Sequence, residues 1–255
     1  MSKNITLEEV SFSYPGTSTD VLKNISINIR AGEKIAIVGE NGAGKTTLVK
    51  LIEGLYPPTN GTMMIDDINY KDIEKKSLHN SIATVNQDFC HYALTITENI
   101  TLWSNRLLDE KMVQSAINSV GLDKKIQELE NGLNTEYTRE FNDNGTEFSG
   151  GQAQKLAIAR AIYQDADIMI MDEPSSALDP ISEEKMIHTI FEASKDKTLI
   201  LISHKLSSVK DVERIIVMDN GEIIEEGSHK QLMEQGGKYE EMFTLQAHRY
   251  GDSEW

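Results

Sequence analysis

The sequence predicts an α/β fold: a mainly parallel sheet, preceded by an antiparallel β subdomain and interrupted by an inserted helical subdomain. Three observations carry this. Four short runs, Lys34–Val38, Ile168–Met171, Leu199–Ile202 and Ile215–Met218, are apolar without alternation, as strands covered on both faces require. Helical patterns follow the first run and separate the second from the third, the rhythm of parallel strands joined by crossovers. The first 30 residues instead alternate apolar and polar with period two, as strands with one wet face do.

Taken in order, Ile5 and Leu7 share one parity while Val10, Phe12 and Tyr14 share the other, so a bulge is expected near Glu8–Glu9. After a turn at Pro15–Gly16, Leu22, Ile25, Ile27 and Ile29 mark a second strand that ends at Ala31–Glu33. Lys34–Val38 runs into a glycine-rich loop and then a helix over Thr46–Glu53. Leu48, Leu51, Ile52 and Leu55 sit there at helical spacing, with Gly54 at the C-terminal cap. Thr62–Ile68 reads as a strand. From Thr97 to Tyr163 the chain reads as helical and polar, with Met112, Ala116, Ile117 and Val120 on one face. Beyond Gly221, eight acidic side chains against three basic ones suggest a solvated helical face. The whole is expected to be one domain over 1–255, its helical subdomain at about 90–163 and a helix beginning at about 149.

The 255 residues carry 41 Asp and Glu against 25 Lys and Arg, a formal charge of −16. That balance opposes nucleic-acid binding, which needs a surplus of cations on one face, and it opposes anionic membrane surfaces. Cys90 is the single cysteine, so no disulfide can form within one chain. No run approaches the roughly 20 apolar residues that span a bilayer, and Met1–Ile5 lacks a signal-peptide core, so the chain reads as cytoplasmic in character. His79, His91, His188, His229 and His248 show no metal-ligand spacing, and Trp103 is expected to pack in the helical subdomain or against a partner.

Chemistry enters at Gly39-Glu40-Asn41-Gly42-Ala43-Gly44-Lys45-Thr46, which matches G-x-x-x-x-G-K-[ST] at every fixed position. Average residue frequencies would produce that pattern in roughly 1% of chains this long. Its place between a buried strand and a helix separates it from a plain glycine turn with a surface lysine. Glycines let backbone N–H groups approach phosphate oxygens, and the helix N-terminus adds partial positive charge. Lys45 is expected on the β- and γ-phosphates and the Thr46 hydroxyl on Mg²⁺, the features of a P-loop NTPase core.

Ile168–Met171 ends in Asp172 and Glu173, two carboxylates at the edge of a parallel sheet where the phosphate loop also lies. Asp172 is expected to hold Mg²⁺. Glu173, on the opposite face of the pleat, is expected to act as general base on the attacking water. Phe148-Ser149-Gly150-Gly151-Gln152 opens a further helix with Ser149 as N-cap and two glycines that leave amides open, a second anion site. One chain hydrolyses one γ-phosphate, so a second site makes sense if it serves a neighbouring molecule.

With these motifs in this order the sequence resembles the nucleotide-binding domain of ABC transporters over nearly its whole length. The family signature is Leu-Ser-Gly-Gly-Gln, and here Phe148 takes the first place, an apolar exchange expected to pack without loss of the phosphate contacts. The resemblance implies that Tyr14 stacks on adenine and that Gly39 to Thr47 cradle ATP. It implies that Gln87, in Val85-Asn-Gln-Asp-Phe89, touches Mg²⁺ and the attacking water. Ser176-Ala177-Leu178-Asp179 matches the D-loop, and His204 the switch histidine on the γ-phosphate. It further implies ATP and Mg²⁺ as cofactors, a head-to-tail dimer in which Phe148–Gln152 bind the partner subunit's ATP, and transmembrane domains as partners. The chain would then work at the cytoplasmic face of the cell membrane, without nucleic acid.

Exporters are the nearest subgroup: Thr95–Ile100 and Glu226–His229 resemble their segments. Asn142-Asp143-Asn144-Gly145 stands where exporters carry Gly-Glu-Arg-Gly, with Asp143 in the acidic place. Asn86–Phe89 and Glu40–Gly44 look similar to exporters of ribosomally made peptides such as lantibiotics, and excision from a longer half-transporter is expected. The competing reading is a soluble ATPase with the same signature acting on DNA or ribosomes. The acidic charge, the single cassette and the mere 110 residues from Gly39 to Ser149 weigh against it. A kinase or GTPase would leave the signature unexplained.

Overall fold

The computed structural model describes residues 2–87, 90, 92–102, 104 and 107–250, the side chains of Pro180, Arg249 and Tyr250 apart. Trp103, His91, and Asp88 and Phe89 of the glutamine motif lie outside the described residues. The chain forms two compact units: Met1–Ile82 with Asp167–Glu173 and Asp196–Trp255, and Ala83–Ala166 with Pro174–Lys195.

In the first unit, β1 (Ile5–Phe12), β2 (Leu22–Ile29), β4 (Asn60–Ile65) and β5 (Ile68–Asn69) form an antiparallel sheet in the order β2-β1-β4-β5. The parity change has its bulge: pairing slips between Leu7 and Val10, and Glu9 takes a positive φ of 50°. The strand expected over Thr62–Ile68 is instead a hairpin. Asp66 and Asp67 both adopt left-handed backbone, which short aspartate side chains tolerate, and β5 folds back on β4.

The second sheet is built on β3 (Lys34–Val38). β8 (Thr198–Ile202) and β9 (Arg214–Asp219) flank it in parallel, β7 (Ile168–Asp172) pairs parallel with β8, and β10 (Glu222–Gly227) pairs antiparallel with β9. Every residue of β7 and β8 is buried, which is why these runs show no alternation. Helix α1 (Lys45–Ile52) buries Leu48, Val49, Leu51 and Ile52. It ends where Gly54 turns left-handed (φ 73°) with its N–H on the Leu51 carbonyl. Leu55, expected on the apolar face, lies beyond this stop and is 55% exposed.

The C-terminal segment is solvated as expected, with Glu222, Glu226, Glu234 and Glu241 exposed, but it is not all helix. It begins as strand β10 and continues as α8 (His229–Gln235) and α9 (Lys238–Tyr250). Glu225 is no free surface acid: its carboxylate accepts the backbone N–H of both Lys238 and Tyr239 and so starts α9. A short α2 (Lys75–Ser81) completes the unit, and β6 (Ile82–Val85) leads the chain into the second.

The second unit holds α3 (Ile96–Thr101), α4 (Glu110–Ser119), α5 (Asp123–Gln127), α6 (Gly150–Gln164) and α7 (Pro180–Ala193). The helical reading of Thr97–Tyr163 is therefore too continuous. Between α5 and α6 only one 3₁₀ turn, Gly132–Asn134, interrupts irregular chain, because Asn131-Gly132 and Asn142–Gly145 break helices. On α4 the inward residue is Val113, not Met112, which is half-buried. Asn99, fully buried, donates to the carbonyls of Tyr92, Leu94 and Thr95, and Arg160 Nε donates to the Asn99 carbonyl at 2.7 Å. Among the described residues no helix is long and apolar enough to cross a membrane.

Ile170, fully buried at the middle of β7, reports on the sheet. Ile170→Ala should cost about 2–5 kcal/mol, read as a lower denaturant midpoint at an unchanged slope; a loss under about 1 kcal/mol would mean that the sheet collapses around the cavity.

Candidate functional site

The parallel register sets the site. Ile202 of β8 pairs with Ile37 of β3 on one side and Asp172 of β7 on the other, so three strands end at one edge. From that edge emerge the glycine loop after Val38, the acids after Met171 and the histidine after Ile202.

The loop 39–44 bends sharply into α1. Gly39 (φ 149°) passes so close to Met218 that a Cβ would strike its carbonyl oxygen. Gly44 (φ 100°) would bring one to 2.9 Å from Leu22 Cδ2. Only glycine fits both positions. Lys45 lies buried inside the loop, its Nζ donating to the carbonyls of Gly39 (2.8 Å) and Glu40 (3.0 Å). Burial pulls this ammonium below the usual lysine value, and the charges of Glu173 and Asp172 oppose that pull. Glu40 projects outward and pairs with Lys238 of α9 at 2.8 Å, which holds its carboxyl below the usual range.

Asp172 is buried at the end of β7, with Oδ2 3.4 Å from Thr46 Oγ1. Burial, then the neighbouring Glu173 charge, raise its carboxyl above the ordinary value, while Thr46 and the cations of Lys45 and Lys50 act the other way. Glu173 does not follow the pleat as the alternation rule implies. It adopts left-handed backbone at φ 55°, with its N–H on the Ile202 carbonyl at 2.9 Å. That turn carries its carboxylate into contact with His204 Nδ1, the glutamate side chain 11% exposed and the histidine 52%. A non-glycine residue held at positive φ beside reactive groups marks a constrained position.

Tyr14, following β1, bonds through its hydroxyl to Thr47 Oγ1 at 3.1 Å. Its ring meets Phe12 and Tyr56 edge-on, with centroids 5.0 and 5.5 Å apart. Tyr56 carries little signal in the sequence beyond being an aromatic two residues past the Gly54 turn. Lys238 was missed too, because nothing in the chain marks a pair so distant in sequence.

The second unit carries the remaining residues. Gln87 is exposed just past β6. Ser149 and Gln152 form a reciprocal box: Ser149 Oγ accepts the Gln152 N–H, and Gln152 Oε1 accepts the Ser149 N–H at 3.0 Å. Gly150 and Gly151 open α6 against the D-loop, where a Cβ on Gly151 would sit 3.0 Å from Leu178 Cδ2. Gln154, 1% exposed, ties the two together, accepting the Ala177 N–H at 3.2 Å and donating to Ser176 Oγ at 3.3 Å. Asp179 caps α7 by accepting the Ser182 N–H, and hydrogen bonds from the Ser182 side chain and then its backbone lower its carboxyl. Phe148 packs edge-to-face on Tyr137 at 5.2 Å.

The residues present suit Mg²⁺. The Thr46 hydroxyl and Asp172 carboxylate are hard oxygen donors, and among the described residues no cluster of three His, Cys, Asp or Glu forms a closed cage. Magnesium is ordinarily held by one or two protein oxygens, with substrate phosphates and water completing its shell.

A glycine loop between a central parallel strand and its helix, with acids and a histidine on adjacent strand ends, defines a P-loop nucleotide hydrolase. Its signature-type helix start narrows the class to the ATP-binding cassettes. The chain belongs to the ABC transporter family, whose family model matches residues 22–176. It is 40% identical over 240 residues to the subtilin transport ATP-binding protein SpaT of Bacillus subtilis, covering 94% of this chain and 39% of that protein. It is 39% identical over 242 residues to an ATP-dependent lipid A-core flippase of Chromohalobacter salexigens, covering 95% and 41%. The solved structure of a bacterial Atm1-family ABC exporter with ATP bound superposes with a TM-score of 0.89 at 32% identity, covering 96% of this chain and 42% of that one. The chain thus spans about two fifths of the length of these relatives. It is an ABC ATPase domain with the mixed α/β fold expected, and the DNA- or ribosome-acting alternative is not favoured.

The folded chain holds a proton on Asp172 more tightly than the unfolded chain does. Ionising it therefore costs stability once the pH rises above the unfolded value near 3.9, and costs nothing below it. Asp172→Asn should accordingly raise the melting temperature of the ligand-free chain at pH 7, with the gain closing as the pH falls towards about 4. A gain independent of pH would assign it to something other than the buried charge.

Proposed function

We propose that this chain is the ATP-driven motor of an ABC exporter, working as a head-to-tail pair beneath transmembrane domains at the cytoplasmic face of the cell membrane. The single observation that carries the chemistry is the Glu173–His204 contact on the strand edge where Lys45 and Asp172 also meet.

Tyr14 stacks on adenine, and the amides of Gly39 to Thr47 with Lys45 hold the phosphates. Mg²⁺, when bound by Thr46 and Asp172, neutralises phosphate charge, and Gln87 serves the metal and the water on the family resemblance. Glu173 takes the proton as the water oxygen attacks the γ-phosphorus and the bond to the β-γ bridging oxygen breaks. His204, steered by Glu173, contacts the γ-phosphate and with Lys45 offsets charge in the transition state. Ser149 to Gln152 of a second copy close over the nucleotide, Phe148 packing behind them and Ser176–Asp179 lying beside the junction. Hydrolysis reopens the pair. The charge of −16 supports no nucleic acid as partner. Relatives of nearly equal identity are named for subtilin transport and for lipid A-core flipping, so the motor leaves cargo choice to the membrane domains. A peptide cargo rests on the likeness to the subtilin protein and on Glu40–Gly44 and Asn86-Gln87.

Glu173→Gln should bind ATP with wild-type affinity by calorimetry, elute as an ATP-dependent dimer and hydrolyse about 10²–10⁴-fold more slowly. Turnover within about twofold of wild type would remove Glu173 as the base. Lys45→Ala should lose nucleotide affinity in the same titration.

A further inference from the structure

The switch loop is held from outside by one side chain of the C-terminal helix. Gln246 Nε2 donates to the His204 carbonyl at 2.6 Å, and Gln246 Oε1 accepts the Leu206 N–H at 3.0 Å. The amide therefore clamps the backbone on both sides of Lys205. Within the loop, Ser203 Oγ accepts the Lys205 N–H at 2.9 Å, and its hydroxyl donates to the Lys205 carbonyl at 3.2 Å. Leu206, buried, begins the 3₁₀ turn Leu206–Val209. His204 is thus suspended between a self-bonded serine turn and the glutamine.

Gln246 reaches this place because α9 is fixed. Glu225 holds its first N–H groups, and Tyr239 is fully buried with its hydroxyl 2.9 Å from His229 Nδ1. Phe243 is buried one turn on, and Gln246 follows at the next inward position of the i, i+4, i+7 stripe. At its other end α9 places Lys238 on Glu40 of the phosphate loop. Glutamine suits the clamp, since it alone offers an N–H donor and a carbonyl acceptor at this reach; glutamate keeps only the acceptor and asparagine is one methylene shorter.

We infer that Gln246 is a positioning residue for His204, making ATP turnover depend on the docked C-terminal helix. This rests on the reading of His204 given above. The distinguishing readouts are the kcat and KM of the full chain with Mg-ATP, and the imidazole Cε1 proton resonance of His204, assigned by its loss in His204→Ala. Gln246→Ala should lower kcat by about 3–10-fold, the scale of a lost hydrogen bond, at a KM changed less than about twofold, and should shift the His204 resonance. Gln246→Glu, which preserves the bond to Leu206 and the bulk of the side chain, should lose kcat likewise, and serves should the alanine variant loosen α9. Wild-type kcat in both variants, or a raised KM alone, with His204→Ala impaired, overturns the clamp and leaves the histidine reading standing. Wild-type turnover in His204→Ala overturns both.

Discussion

Everything at the site follows from parallel pairing in register. Because Ile202 faces Ile37 and Asp172 at once, the loop after β3, the acids after β7 and the histidine after β8 leave the sheet side by side. Antiparallel neighbours would send alternate strand ends to opposite edges and scatter these groups. Register in turn depends on strands buried on both faces. A one-residue slip in a half-exposed strand inverts its faces; in β7 and β8, with both faces covered, it would also misplace Asp172 relative to Lys45.

The same convergence concentrates charge. A buried ammonium and a buried carboxylate lie close together with Glu173 beside them, and burial pushes Lys45 and Asp172 each towards its neutral form. A folded chain tolerates such an arrangement where a polyanion and its cation complete it on binding. The left-handed turn at Glu173 belongs to the same account: the backbone bends at the residue whose carboxylate meets His204.

How far this was legible in the sequence depends on which interaction set each element. The buried strands, α1 and the bulge at Glu8–Glu9 could be read because local pattern and final environment agree. The hairpin at Asp66-Asp67 was hidden because two acids in a polar stretch do not announce positive φ. Residues 97–163 look too helical in sequence because their periodicity masks the Asn-Gly breakers. At the site, spacing and resemblance point to the motif residues. They do not point to the Glu173 turn, the Tyr56 contact, the Gln154 link to the D-loop or the Lys238 and Gln246 contacts, since each joins elements brought together only by tertiary packing.

The acidic composition finally bears on how such a chain holds a nucleotide at all. A net charge of −16 would repel ATP if spread evenly. The glycine loop escapes that field because its positive potential is short-range, built from the first turn of α1 and a lysine held by the loop's own carbonyls. Its one acid, Glu40, points away and is paired with Lys238, so its charge is neutralised on the outer side of the loop. The same pair ties the loop to α9, whose far end holds the switch loop through Gln246. The glycine loop and the histidine loop thus share one support, and it belongs to a segment whose acids read in sequence as solvated surface.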